Sequence, residues 1–286
     1  MIRSLLFAPA NRLDLLAKMH RANADCNVID LEDGTPEADK LSARAQLDQG
    51  VRGLRESGVR GLVYVRVNAP RSAHFFDDVR AAMDVRPDGI VIPKLEAVEE
   101  LEALIAAERS GGPKLPVLAG IESMRGVANI YRLLADAPQV HALYFGAEDF
   151  ASEIGARRTP GGHEVLYARS RVLMAARING VIAIDQAVGE VRDDQRFRDD
   201  STVGRELGYQ GKICVTPRQV ELTHATFTPS DEEVARARRM LDAYRESAAR
   251  GLGTVVVDGM LVEGPLVKRA EGVVALADQL SKGHDP

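Results

Sequence analysis

The chain has 286 residues, 45% hydrophobic and 28% charged, and this much apolar surface excludes a mainly disordered state. Its 37 Lys and Arg against 42 Asp and Glu give a formal charge of −5, which argues against binding nucleic-acid backbones. At about 150 residues per domain, the length fits two small domains or one α/β barrel of ~250 residues.

Cys26 and Cys214 lie far apart in sequence, so neither a disulfide framework nor a cysteine zinc site is expected, and a reducing cytoplasm fits. The longest run without Asp, Glu, Lys or Arg is Ala137 to Ala147, eleven residues. A membrane span needs ~20, so no membrane partner is expected. The apolar run after Met1-Ile2-Arg3 is too short for a signal peptide.

In chain order, the first strand is Ser4 to Ala8, followed by a helix from Arg12 to Asn23. Strands follow at Asn27–Leu31, Leu62–Val67, Gly89–Pro93, Leu115–Ile121, Ala142–Phe145, Val181–Ile184 and Lys212–Val215. They are short, apolar on both faces and rich in Val and Ile, as strands of a covered parallel sheet read. Amphipathic helices lie between them. Ala97 to Arg109, for example, sets Val98, Leu101, Leu104 and Ile105 on one face. Strict βα alternation over eight strands predicts a (β/α)8 TIM-type barrel. A doubly wound open sheet is the alternative, but no G-x-G-x-x-G turn follows the first strand.

The rhythm breaks after residue 228. Ser230 and Glu233 form a capping-box pattern, opening a helix to about Ala249. A hairpin-like stretch from Thr254 to Val262 and a last helix ending near Leu280 follow. The expected division is a catalytic barrel over 1–228 and a C-terminal helical lid or arm over 229–286. A 58-residue tail is too small for a robust core of its own. It is therefore expected to pack on a neighbouring subunit.

Barrel chemistry sits at the C-terminal strand ends. There the sequence places Asp30, Glu32 and Asp33, Arg66 and Asn68, Lys94 and Glu96, Glu122, Glu148 and Asp149, and Asp185. Crowded carboxylates either raise one another's pKa or bind a cation. Hard oxygen ligands without a His or Cys cluster point to Mg²⁺ rather than zinc. Glu122 and Asp149 end adjacent strands and can reach one ion; the competing reading is that strand-end acids cap helices. Arg66, inside an apolar strand, is either a bidentate clamp on a substrate carboxylate or one half of an internal salt bridge to Glu32 or Asp33. Lys94 is either a Schiff-base lysine or a balance for nearby acids.

These runs together resemble a known family. Arg3-Ser4-Leu5-Leu6-Phe7-Ala8-Pro9-Ala10-Asn11-Arg12, Asp30-Leu31-Glu32-Asp33, Val65-Arg66-Val67-Asn68 and Ile92-Pro93-Lys94 occur in order. Ile121-Glu122-Ser123, Phe145-Gly146-Ala147-Glu148-Asp149, Gly208-Tyr209-Gln210-Gly211-Lys212, Pro217-Arg218-Gln219 and Phe227-Thr228-Pro229-Ser230 follow. The chain is similar over nearly its whole length to the HpcH/HpaI aldolase and citrate lyase β-subunit (CitE-like) family, which includes malyl-CoA and citramalyl-CoA lyases.

The resemblance implies a Mg²⁺-dependent carbon–carbon lyase, usually a homotrimer. It would cleave a 3-hydroxyacyl-CoA with a distal carboxylate to an acyl-CoA and a 2-oxo acid. Glu122 and Asp149 match the metal ligands, Glu122 also touching substrate. Arg66 matches the arginine that holds the keto-acid or stabilises the enolate. Glu32 and Asp33 match an acidic pair near metal-bound waters. Arg12 and Lys18 look like contacts for CoA phosphates, and Glu263 falls where the lid brings its acid. Three departures stand out: Ala10 in place of a commoner glycine, Gly34-Thr35 after Asp33, and Glu263 where many members carry aspartate. A variant in which the thioester is hydrolysed after cleavage stays open, as do two alternatives. One is a citrate lyase β-subunit acting on a citryl thioester of an acyl-carrier protein. The other is a non-catalytic protein binding CoA thioesters or keto-acids.

Overall fold

The computed structural model describes residues 1–282. The chain divides into two compact units, the first Met1–Ala225 and the second from Thr226 onward.

The first unit is built on eight parallel strands. They are β1 (Ser4–Pro9), β2 (Cys26–Asp30), β3 (Leu62–Arg66), β4 (Gly89–Ile92), β5 (Val117–Ile121), β6 (Val140–Phe145), β7 (Ile182–Asp185) and β8 (Gly211–Cys214). Each pairs with the next, and β1 pairs with β8, so the sheet closes on itself. With helices between the strands, this is the expected (β/α)8 barrel.

Side chains on a strand alternate between faces. Leu5, Cys26, Val28, Tyr64, Val91, Leu118, Ala142, Tyr144, Ile184 and Ile213 form one buried cluster. They share one parity on their strands, so they fill the barrel interior. The opposite parity, including Ile29, Val63, Val65 and Ala183, is also buried. Both faces are covered, which is why the strands read as continuous apolar runs.

Four elements differ from the sequence reading, one of them β5, which starts at Val117 and not at Leu115. The helix expected over Arg12–Asn23 is a single turn, Leu13–Leu16, then a 3-10 turn, Met19–Ala22, that ends at Asn23 in the left-handed region. The stretch after Ala97 begins as a 3-10 turn, Val98–Leu101, and becomes α-helix over Glu102–Arg109. β6 starts two residues early, at Val140, where the β5–β6 register shifts. The polar His141 hid that start; its ring bonds the Val117 carbonyl and the Tyr64 hydroxyl.

The second unit opens with a helix over Asp231–Ala249. Ser230 Oγ accepts from the Glu233 amide, and the Glu233 carboxylate accepts from the Ser230 amide. This is the expected capping box. β9 (Val255–Val257) and β10 (Met260–Val262) pair antiparallel. Asp258 and Gly259 connect them with φ of 50° and 77°, as a two-residue hairpin turn requires. A last helix, Gly264–Lys282, follows. Met240, Leu241, Val262 and Ala270 form the small core of this unit. No helix among the described residues is long and apolar enough to cross a membrane.

Candidate functional site

The site arises where the inward parity turns polar. Two residues beyond Val28 comes Asp30, beyond Tyr64 comes Arg66, and beyond Leu118 come Gly120 and then Glu122. Beyond Ala142 comes Tyr144. The alternation that packs the interior thus sets these four polar side chains at the C-terminal mouth. There they line a cavity of ≈ 450 Å³ with Phe7, Asp33 and Asp149.

Arg66 is nearly buried and committed to acids. Its Nε lies 2.7 Å from Asp30 Oδ1 and its Nη2 2.6 Å from Asp30 Oδ2, a bidentate pair. The two residues are direct partners in the β2–β3 register. Nη1 lies 2.9 Å from Glu32 Oε2, and the guanidinium rests over the Phe7 ring at 4.8 Å. The internal-salt-bridge reading holds for Glu32. The second partner is Asp30 rather than Asp33, because Asp33 lies past the strand end and turns toward Lys94. Burial opposes charge on Asp30, yet Arg66 and the amides of Glu32 and Gly34 hold its carboxyl below the ordinary value.

Two of the three sequence departures are explained here. The Gly34 amide bonds Asp30 Oδ2 at 2.8 Å, and a Cβ at Gly34 would collide with that oxygen. Thr35 donates its hydroxyl to the Asp30 carbonyl. Ala10 has no left-handed φ, so alanine fits there without strain.

Lys94 gathers the other acids. Its Nζ lies 2.7 Å from Glu32 Oε1, 3.3 Å from Asp33 Oδ2 and 3.8 Å from Asp149 Oδ1. Burial lowers the pKa of the ammonium, but these acids override it and raise the value above that of ordinary lysine. A lysine held charged is no Schiff-base nucleophile, so the charge-balancing reading applies. Its φ of 50° is left-handed, costing a residue with a Cβ roughly 1–2 kcal/mol. In that conformation its amide also reaches Glu122 Oε1 at 3.1 Å.

Glu122 is buried between two glycines. A Cβ at Gly146 would sit 2.6 Å from Glu122 Oε2, and one at Gly120 would strike Oε1. Oε1 accepts the Tyr144 hydroxyl at 2.6 Å. Burial pushes the Glu122 carboxyl up to about 7; Arg66 and Tyr144 oppose this, while Glu32 and Asp149 add to it. Glu32 is also raised, first by burial, against the pull of Arg66 and Lys94.

These groups fit a hard divalent cation. Five carboxyl groups (Asp30, Glu32, Asp33, Glu122 and Asp149) face two basic groups, Arg66 and Lys94. Glu32 Oε2 is buried without a hydrogen bond, despite the nearby guanidinium. Among the described residues, none donates to Glu122 Oε2. Nor do any three His, Cys, Asp or Glu side chains among them converge as a ligand set. Glu122 and Asp149 are as many carboxylates as Mg²⁺ takes, its other positions going to water and substrate.

The other sequence candidates fall elsewhere. Arg12 is exposed and paired with Asp14, and Lys18 is exposed; neither lines the cavity. Glu263 belongs to the second unit, exposed, directly after the buried Val262. Asp185 does not join the mouth. It has the outward parity, next to the inward Ile184, and pairs under the helices with Arg169 and Lys212. Glu96 turns to Arg71 and to Ser123 Oγ. Asp30 stands among the strand-end acids without a role, and Tyr144 was missed as a site residue. Strand parity was the available signal, since both share it with the apolar interior.

The family model described as HpcH/HpaI aldolase/citrate lyase matches residues 3–217. A citrate lyase subunit beta-like protein of Deinococcus radiodurans is 43% identical, with 96% of this chain and 97% of that protein covered. The L-malyl-CoA/beta-methylmalyl-CoA lyase of Cereibacter sphaeroides is 32% identical over 98% of this chain and 95% of its own length. Among solved structures, CitE from Mycobacterium tuberculosis in complex with magnesium, acetoacetate and coenzyme A superposes with a TM-score of 0.79. It is 27% identical, covering 96% of this chain and 98% of that one. Fold, site and likeness converge: the chain belongs to the HpcH/HpaI aldolase/citrate lyase family.

Proposed function

We propose that the protein is a Mg²⁺-dependent carbon–carbon lyase. Its substrate is a 3-hydroxyacyl-CoA with a distal carboxylate, such as malyl-CoA or citramalyl-CoA, and its products are an acyl-CoA and a 2-oxo acid. The observation that carries this is the cavity wall itself, where Glu122 and Asp149 share one pocket with Arg66. A family relative acting on malyl-CoA and a solved one holding magnesium and coenzyme A support the choice.

Glu122 and Asp149 would hold the ion, which when bound supplies Lewis-acid polarisation of the keto-acid oxygens. Arg66 faces the cavity with its charge fixed by Asp30, so it meets developing negative charge without reorganising. Glu32 and Asp33 would accept hydrogen bonds from water in the site. Glu263 would exchange the hydroxyl proton, delivered by the C-terminal arm (229–286) of a neighbouring subunit. Arg12 and Lys18, exposed and outside the cavity, would meet the CoA phosphates. A homotrimer is the proposed assembly. The helix Leu166–Ile178 leaves Tyr167, Met174 and Ile178 exposed along one stripe, apolar surface that a second copy would cover.

The test is incubation with malyl-CoA and citramalyl-CoA, in Mg²⁺ and in EDTA, with the 2-oxo acid trapped as its hydrazone. Metal-dependent release from one of them is expected. If neither thioester is cleaved in Mg²⁺, the lyase reading fails.

A further inference from the structure

We propose that Lys94 is a built-in counter-cation of the carboxylate cluster, and that it sets both the affinity and the selectivity for the divalent ion. This rests on the metal reading above and extends it to a residue that reading leaves without a role.

The geometry divides the acids into two groups. Glu32 and Asp33 lie 2.7 and 3.3 Å from the Lys94 ammonium, and Asp149 at 3.8 Å is the most distant of the three. Glu122 touches the backbone amide of Lys94 through Oε1. The ammonium thus spends its charge on Glu32 and Asp33, leaving Glu122 Oε2 and the loosely held Asp149 for an ion. Arg66 cannot replace it, because its guanidinium is committed to Asp30 and Glu32.

Two consequences follow from the charges. A divalent ion held by Glu122 and Asp149 has a positive charge beside it, so Lys94 weakens its binding. The same ammonium keeps Glu32 from becoming a third direct ligand. Ca²⁺ takes six to eight oxygen ligands and gains most from an added carboxylate, whereas Mg²⁺ keeps its waters. Lys94 therefore favours a hydrated Mg²⁺ bound weakly enough to exchange. It also holds the acids together when no ion is present.

The test is isothermal titration of full-length wild type and Lys94→Met with MgCl2 and with CaCl2, without substrate. Melting of both proteins is recorded in EDTA and in each salt. Lys94→Met is expected to bind Mg²⁺ tighter by about tenfold, and Ca²⁺ by more. It should melt lower than wild type in EDTA and regain the difference with either ion. General damage would weaken binding, so a gain in affinity separates the proposed role from a structural one. Unchanged or weaker binding of both ions by the folded variant overturns the proposal. Should Lys94→Met not fold in EDTA, Lys94→Gln, which keeps a donor without the charge, takes its place. Failure of both variants to fold even in Mg²⁺ makes Lys94 structural and also overturns it. A wild type that binds neither ion removes the metal reading itself, and this inference with it.

Discussion

The Tyr144 hydroxyl donates to Glu122 Oε1 at 2.6 Å, on the same oxygen that accepts the Lys94 amide. Two donors on one oxygen fix the carboxylate plane and leave Oε2 toward the cavity. Partners of this kind typically contribute 10–100-fold to metal affinity or activity. Tyr144→Phe removes one donor while preserving the ring that packs edge-on against Phe7. We expect a Mg²⁺ affinity about tenfold weaker by calorimetry, with thermal stability in EDTA little changed. An unaltered affinity would show that the Lys94 amide alone positions Glu122.

The raised Glu122 carboxyl has a consequence for stability. Its value of about 7 in the fold lies above the ordinary ~4.3 of the unfolded chain. Between those values the folded protein keeps a proton that the unfolded chain releases. Stability from this group is therefore complete below the lower value, falls as pH rises toward 7, and levels off above it. The full effect is up to about 4 kcal/mol. Asp200 titrates in a separate, acidic window: burial opposes its charge, but Lys212 and Arg169 hold it at about 2. Scanning calorimetry in EDTA from pH 5 to pH 8 should show the decline in wild type. Glu122→Gln should flatten it, leaving Glu32, whose shift has the same direction, and His141, whose burial lowers its value and acts in the opposite sense.

The barrel was legible in the sequence because its strands are apolar on both faces and alternate with amphipathic helices. The acids of the mouth were legible as residues at strand ends, but which of them meet was not. Asp185 and Glu122 look alike in sequence, yet one faces the helices and the other the cavity. Their positions relative to Ile184 and Leu118 hold the difference, and only the closed barrel shows which parity is inside. Asp30 stood in the strand-end run Asp30-Leu31-Glu32-Asp33, but its role was not legible, for a related reason. Its pairing with Arg66 depends on the β2–β3 register, 36 residues apart in the chain. The short Leu13–Leu16 helix was overcalled because the apolar spacing of Leu13, Leu16 and Met19 persists across a break in the backbone.

Asp185 anchors a second ionic network, outside the barrel interior. Arg169 Nε meets Asp185 Oδ1 at 2.8 Å, and Lys212 Nζ lies 3.0 Å from Asp185 and 2.5 Å from Asp200. Gln186 completes the Asp200 shell at 2.9 Å. Lys212 is wholly buried, so removing its charge leaves two carboxylates to Arg169, with Arg196 reaching only Asp200 from 3.9 Å. Lys212→Met should cost about 3–5 kcal/mol in urea unfolding. Adding Asp200→Asn should recover part of that loss, since it removes the carboxylate left uncompensated. A single-variant cost below about 1 kcal/mol would mean that Arg169 and Arg196 satisfy both acids without Lys212.

Glu263 has a fixed backbone and an uncommitted carboxylate. Its carbonyl accepts from the Leu266 and Val267 amides, starting the last helix, while its side chain makes no ion pair among the described residues. An acid placed this way can serve a site it is brought to. Glu263→Gln is expected to lose at least about 10²-fold in kcat, and Glu263→Asp to fall between the two, because an ångström of displacement is itself expensive. Mixing settles which chain supplies the group. Glu263→Gln and Arg66→Ala are each expected to be inactive alone. If Glu263 serves a neighbour's Arg66 in a cyclic trimer, unfolding and co-refolding equal amounts regenerates intact pairs at about a quarter of the interfaces. Activity near a quarter of wild type is then the expected reading. If both groups act within one chain, every mixed site lacks one of them and no activity returns.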